Sequence, residues 1–141
     1  MWSDEPNSGP LTHNDHNASN CYARLAEAIL SSRVKFGRAF GFDLATDPNG
    51  DMLLSLYIRE HEGRTTSLSA LWGSSNVAYS TARRCVTAME ERGVVLRVPD
   101  PSDGRRYLVR LSPRARQIIE VGLEAVREAA ALSQARIDSI S

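Results

Sequence analysis

The side chains of this sequence best equipped to act on a partner are arginines. Residues 79–116 hold nine of them against four acidic residues, a local excess of +5 in a 141-residue chain whose formal net charge is zero. Residues 1–63 hold nine acids and five bases, and the remaining acids gather in the C-terminal stretch, so the distribution is more informative than the sum. Lys35 is the only lysine. A guanidinium is planar and permanently charged, which suits bidentate recognition of phosphate and of guanine. Spacing orders these groups. From Val77 onward Ala82, Cys85, Val86 and Met89 recur every three or four residues and make one apolar helical stripe. At 100° per residue the opposite face carries Ser80, Arg84, Thr87 and Glu91, with Thr81 and Arg83 on the flanks. The basic stretch PDPSDGRR lies just beyond it. A helix showing hydroxyls and guanidinium groups near its N-terminal end, followed by a basic hairpin, is what a major-groove reader with a backbone or minor-groove finger requires.

Other chemistry is harder to build. No Ser/His/Asp, Cys/His, paired-carboxylate or phosphate-loop constellation appears, so an enzyme is not expected. His13 and His16 stand three apart in a polar N-terminal segment, with Cys21 and His61 the only further soft ligands; neither a metal site nor a cofactor is expected from them. His61 reads instead as a surface residue favourably placed at a helix C-terminus. Cys21 and Cys85 lie on different expected helices and make no disulfide framework, and Cys85 fits a small buried side chain. No apolar run approaches the roughly 18 residues that would span a bilayer, and the start MWSDEPNSGP is unlike a signal peptide, so a cytoplasmic protein with no membrane partner is expected.

The elements that would position the arginines follow from caps and stripes. Residues 1–18 are polar, with Pro, Gly, Ser and Asn, and read as a flexible tail; residues 19–141 read as one domain. Ser19 or Asn20 can cap a helix running to about Phe40, with Leu25, Ile29, Ser32, Phe36 and Phe40 in one stripe widened by Leu30 and Val34. Asp47-Pro48 opens a helix to about His61 whose apolar side is Met52, Leu53, Leu56, Tyr57 and Glu60, ended by Gly63. Arg64-Thr65-Thr66 is β-prone, and Ser67 caps a brief helix carrying Leu68, Leu71 and Trp72. The loop GSSN then leads to the helix beginning near Tyr79, a helix-turn-helix arrangement. Gly93 ends that helix. Val94–Val98 and Tyr107–Leu111 read as antiparallel strands around PDPSDGRR, with Asp103-Gly104 as the turn. Ser112-Pro113 opens a last helix to about Asp138 with apolar positions Ala115, Ile118, Ile119, Gly122, Leu123, Val126, Ala129, Ala130 and Ile137. Both terminal helices carry more apolar face than a small core can cover, which suggests a dimer built from the two termini. The fold class expected is mainly α with a small β-hairpin wing.

Over roughly Asp51–Leu123 the sequence resembles the MarR (multiple antibiotic resistance regulator) family of winged helix-turn-helix transcription factors. The most specific part is MEERGVVLRVPDPSDGRRYLVRLSPRA: a helix end in Glu-Arg-Gly, a strand, Asp-Pro-x-Asp-x-Arg in the wing, then Leu-Ser-Pro. The loop GSSNVAYS departs from the family in lacking the usual short hydrophobic turn. The resemblance implies dimerisation helices at 19–42 and 113–141 around a winged helix-turn-helix at 47–112. It implies a homodimeric regulator of transcription reading a pseudo-palindromic site in double-stranded DNA. Tyr79 to Arg84 would start the recognition helix in the major groove; Arg84, with Arg83, would contact base edges or phosphates, and Ser80, Thr81 and Thr87 phosphates or thymine methyls. In the wing, Arg105 or Arg106 would reach the minor groove, with Asp103 fixing the Asp103-Gly104 turn by pairing with an arginine. Some relatives sense oxidants through a cysteine near the place of Cys21, partnered by tyrosines, although the adjacent Tyr22 cannot face it on a helix. Others bind small-molecule effectors, whose identity nothing in these residues specifies. The alternative from another class is a winged-helix protein–protein interaction module that keeps the fold without DNA binding.

Overall fold

Two helices of 28 residues flank everything else in the fold. The structure, a computed structural model, describes residues 13–40, 48–75 and 77–140. In chain order these form α1 (His13–Phe40), α2 (Pro48–His61), β1 (Thr66–Ser67), α3 (Leu68–Gly73), α4 (Tyr79–Glu91), β2 (Val95–Asp100), β3 (Asp103–Leu111) and α5 (Pro113–Ile140). The fold is mainly helical with one small antiparallel sheet in the order β1-β3-β2, a winged helix-turn-helix held between long terminal helices.

The N-terminal boundary differs from the expected one. Residues 13–18, read from sequence as tail, belong to α1, while residues 1–12 lie outside the described residues. No Pro or Gly stands between His13 and Cys21, so a helix nucleated downstream extends back at a gain of one hydrogen bond per residue. Ser19 and Asn20 are therefore interior positions rather than caps. What α1 buries is chiefly Ala23 and Ala26, with Tyr22, Leu25 and Ile29 packed around them. These alanines were not in the expected stripe; being small, they let α1 lie close against α2. Val34, assigned to that stripe, is exposed. The side chains of Phe36 and Phe40, and the Asp47 cap with the turn before it, lie outside the described residues.

The centre is built from α2. Met52, Leu56 and Tyr57 are fully buried, and Leu71 of α3, Val86 and Met89 of α4, and Val95, Val109 and Leu111 of the sheet close over them. Two glycines in the left-handed region make the exits: Gly63 (φ +73) after α2 and Gly93 (φ +71) after α4. At Gly93 the turn is closed by Gly93 N–H donating to Glu90 O and Val94 N–H to Met89 O.

The wing is longer than expected. β2 continues to Asp100 and β3 starts at Asp103, so most of PDPSDGRR is strand, with an irregularity between Pro99 and Asp100. Pro99 is tolerated because β2 is an edge strand. The turn sits at Pro101-Ser102 instead of Asp103-Gly104, because the Asp100 carboxylate accepts both the Ser102 N–H (2.9 Å) and its hydroxyl (2.7 Å).

α5 opens as read, on Ser112: its hydroxyl oxygen accepts the Ala115 N–H at 3.1 Å, with Pro113 at the first helical position. Ala115 and Leu123 are buried, and every described residue from Ala125 to Ile140 is exposed in the single chain. One carboxylate ties these parts together. Glu60, on the inner side of α2, accepts the Leu111 N–H at 3.0 Å and pairs with Arg116 of α5. The Arg116 guanidinium in turn lies 5.7 Å from the centre of the Tyr57 ring.

Candidate nucleic-acid interface

The helix pair that carries the arginines begins at Ser67. Its hydroxyl oxygen accepts the Ala70 N–H at 3.2 Å and caps α3. A helix of six residues leaves most of its carbonyls without a partner. The serines of GSSN supply it: Ser74 donates both its N–H (3.1 Å) and its hydroxyl (2.7 Å) to Leu71 O, and the Ser75 hydroxyl donates to Trp72 O at 3.2 Å. Helix α4 starts at Tyr79, and its N-cap Ala78 offers no side-chain acceptor, so the first N–H groups of α4 receive no capping bond from that side chain.

Ala82, Val86 and Met89 turn inward as the stripe required, and Cys85 is half-buried beside them. Ser80, Arg83, Arg84, Thr87 and Glu91 are exposed and, with Ala88, line one shallow groove along the outer face. Two expected contributors are qualified. Thr81 is half-buried, and the Thr87 hydroxyl donates to the Arg83 carbonyl at 3.0 Å, one turn back. Arg83, placed on the flank from sequence, is exposed. Its guanidinium carbon lies 5.6 Å from the centre of the Trp72 ring and 5.7 Å from that of Tyr79. The two rings meet edge to face, 4.9 Å apart at 80°.

In the wing, alternation sorts the arginines by face. The pairs Val95↔Leu111, Arg97↔Val109 and Pro99↔Tyr107 share one side of the sheet, and Arg105 lies on that side by period two. It is the side turned to α4, because Arg97 donates to Glu90 of α4 at 2.6 Å while stacking 5.4 Å from the centre of the Tyr107 ring. Arg106 lies on the other side with Leu108, along an open groove shared with Arg59, Thr65, Ser67 and Asp100. Two adjacent arginines therefore leave the wing in opposite directions. Asp103 fixes the start of β3 through the backbone: its carboxylate accepts the Arg105 N–H at 3.0 Å. That hydrogen bond to the main chain stands where an aspartate–arginine pair was expected. Gly104 is an exposed strand residue that does not adopt a positive φ. The Asp100 carboxyl is held below its ordinary range by the Ser102 hydroxyl and N–H, with Arg106 adding to the effect.

The structure thus presents Tyr79, Ser80, Arg83, Arg84 and Thr87 on one helix surface and Arg105 on the sheet face that turns towards it. Trp72, Arg97 and Tyr107 belong to the same region and were not read from sequence as site residues. The Tyr79–Arg83 spacing of four hinted at one contact, but the part of Trp72 needs the tertiary turn. Far from this face, the Tyr22 hydroxyl donates to Glu124 at 2.9 Å, which raises the phenol's pKa. Arg127 holds the same carboxylate through two hydrogen bonds of 2.9 and 2.6 Å and, as the larger cause, depresses its pKa. Cys21 beside it is half-buried and free. Among the described residues no group of three or more His, Cys, Asp or Glu side chains could hold a metal ion, and no helix is long and apolar enough to cross a membrane.

A three-stranded wing, a short helix, a tight polar turn and an arginine-bearing second helix define a winged helix-turn-helix protein. Residues 54–107 match the model of the MarR family. Over that segment, about two fifths of its length, the chain is similar to the MarR family. Among solved structures it is similar in fold to the MepR–DNA complex of S. aureus (16% identity, 83% of this chain and 93% of that one, TM-score 0.51). It is similar also to AF1382 from Archaeoglobus fulgidus (16% identity, 62% and 91%, TM-score 0.50). A probable transcriptional regulator from Pseudomonas aeruginosa is 29% identical over 85% of this chain and 79% of its own, at a TM-score of 0.47. A comparison with curated proteins finds no match.

Proposed function

We propose that the chain is a homodimeric regulator of transcription that binds pseudo-palindromic sites in double-stranded DNA in the cytoplasm. Each protomer lays the outer face of α4 into the major groove and brings its wing to the adjacent minor groove. The observation that carries this reading is segregation: Arg83 and Arg84 are exposed on a helix whose opposite face is buried, and Arg105 and Arg106 on the exposed tip of the wing, in a chain of zero net charge. Ser80, Thr87 and the first N–H groups of α4 are donors suited to phosphate oxygens beside them. The solved S. aureus MepR–DNA complex has the same fold and lends support at that level.

The dimer is inferred from α5. Ile118, Val121, Val126, Leu132, Ile137 and Ile140 are all exposed, and at 100° per residue they fall in one arc of about 160°. A 28-residue helix with so broad an apolar face uncovered calls for a second copy, and a two-fold pairing would present two α4 helices to two half-sites. A small-molecule effector is consistent with the family, and no residue here specifies its chemistry.

Fluorescence anisotropy on labelled DNA from upstream of the chain's own coding sequence tests the reading. Affinity should fall by roughly 10³-fold or more between 50 and 200 mM salt if six or more phosphates are contacted. Absent or salt-insensitive binding would favour the protein–protein interaction module instead.

A further inference from the structure

We infer that Arg83, rather than its neighbour Arg84, is the guanine-reading residue of α4, and that Trp72 and Tyr79 are its positioning residues. The inference rests on the DNA-binding reading above and deepens it. Two adjacent arginines on a helix are chemically identical, and only their surroundings can give them different roles. A free arginine side chain samples many rotamers, and a bidentate contact with guanine O6 and N7 requires one of them. Arg83 is already confined. Its guanidinium stands in the corner made by the edge-to-face rings of Trp72 and Tyr79, 5.6 and 5.7 Å from their centres. The two walls come from both helices of the motif, Trp72 from the last turn of α3 and Tyr79 from the first residue of α4.

The direction of the side chain agrees with this role. Helical side chains lean towards the N-terminus, so Arg83 lies back over Tyr79, one turn earlier. That places its charge at the end of α4 from which recognition helices contact base edges. Ring contacts leave the N–H groups at the guanidinium edges available. Among the described residues those of Arg83 make no hydrogen bond or ion pair, in contrast to Arg97, whose guanidinium is tied to Glu90. Arg84 touches no ring among the described residues, and an unconfined cation suits a phosphate, which tolerates many approach angles.

Selection from a randomised duplex library tests this, using the full chain and its Arg83→Lys, Arg84→Lys and Tyr79→Leu variants, each checked for native helix content by circular dichroism. The wild-type motif should contain one G·C pair per half-site whose preference falls by about 5- to 100-fold in Arg83→Lys, the rest of the motif being kept. Arg84→Lys should keep the whole motif. Tyr79→Leu should weaken the preference at that same base pair, whereas a merely structural tyrosine would lower affinity for all sequences alike. Arg83→Gln serves as the second variant and should lose the same preference. A motif unchanged in both Arg83 variants, or a guanine preference lost in Arg84→Lys instead, would overturn the inference and leave DNA binding standing. If the wild-type chain enriches no motif, the sequence-specific reading itself fails, and this inference with it.

Discussion

Removing the Glu60 carboxylate tests how the wing and the last helix are joined to the core. Glu60→Ala deletes the acceptor of the Leu111 N–H and the partner of Arg116. A part-buried donor left without a partner costs about 1–3 kcal/mol, and an ion pair whose arginine is 36% exposed adds at most about 1 kcal/mol. The expected loss is about 1–4 kcal/mol, or roughly 3–12 °C in Tm for a chain of this size. Glu60→Gln should behave differently. Its amide oxygen still accepts the Leu111 N–H, and burial, the largest influence on Glu60, raises the carboxyl's pKa against the opposing pull of Arg116. The fold therefore favours the neutral form, and the glutamine variant should lose only about 1 kcal/mol or less.

The pH dependence follows with a definite sign. A raised folded pKa gives stability that is fully present below the ordinary carboxylate range and is lost as pH rises through the folded value. Wild type carries that loss and Glu60→Gln does not, so the gap between them should narrow from about pH 4 to pH 7. Asp100 and Glu124, both shifted down, act in the opposite sense but equally in the two proteins. Thermal unfolding at matched protein concentration, followed by circular dichroism across that range, reads all three quantities. The reasoning is refuted if glutamine costs as much as alanine, or if the gap widens towards neutral pH.

Three further outcomes are expected. If the proposed dimer places one Arg105 on a phosphate from each wing, Arg105→Ala should make the slope of log affinity against log salt less negative by about 1.8, and an unchanged slope would place Arg105 off the DNA. Leu132→Asp puts a charge into the uncovered face of α5 and should shift the chain from dimer to monomer in light scattering, whereas an unaffected dimer would locate the interface elsewhere. Gly93→Ala meets no atom within 4 Å but must hold φ at +71°, so the cost is backbone strain alone, about 1–2 kcal/mol and roughly 3–6 °C in Tm.

What could be read from sequence was whatever depends on local period and capping. The α4 stripe, the Ser67 and Ser112 caps, the Pro113 start and the Gly63 and Gly93 exits are all one-turn effects, and each stands where the residues placed it. Glu60 could be assigned to the apolar side of α2 by spacing, but its reason for being there could not. Its partners are 51 and 56 residues away. The wing tip was misplaced because Asp103-Gly104 is the stronger turn signal by composition, while the Asp100 carboxylate captures Ser102 first. The start of α1 was missed because Asn, Asp and Ser favour caps when considered singly, and a helix already formed overrides weak propensities. For the arginines, sequence supplied the cluster and its helix face. Which of them is confined, and which side of the wing each leaves from, depends on rings and strand pairs that only the folded chain brings together.

Ser67 ends β1, paired with Leu108, and also caps α3 through Ala70. No residue separates sheet from helix, so the junction has no linker to act as a hinge. Tilting the helical pair against the wing would break either the strand pairing or the cap. The start of α3 and the edge of the sheet are therefore one joint, and a displacement of β3 at Leu108 is felt directly at the α3 cap.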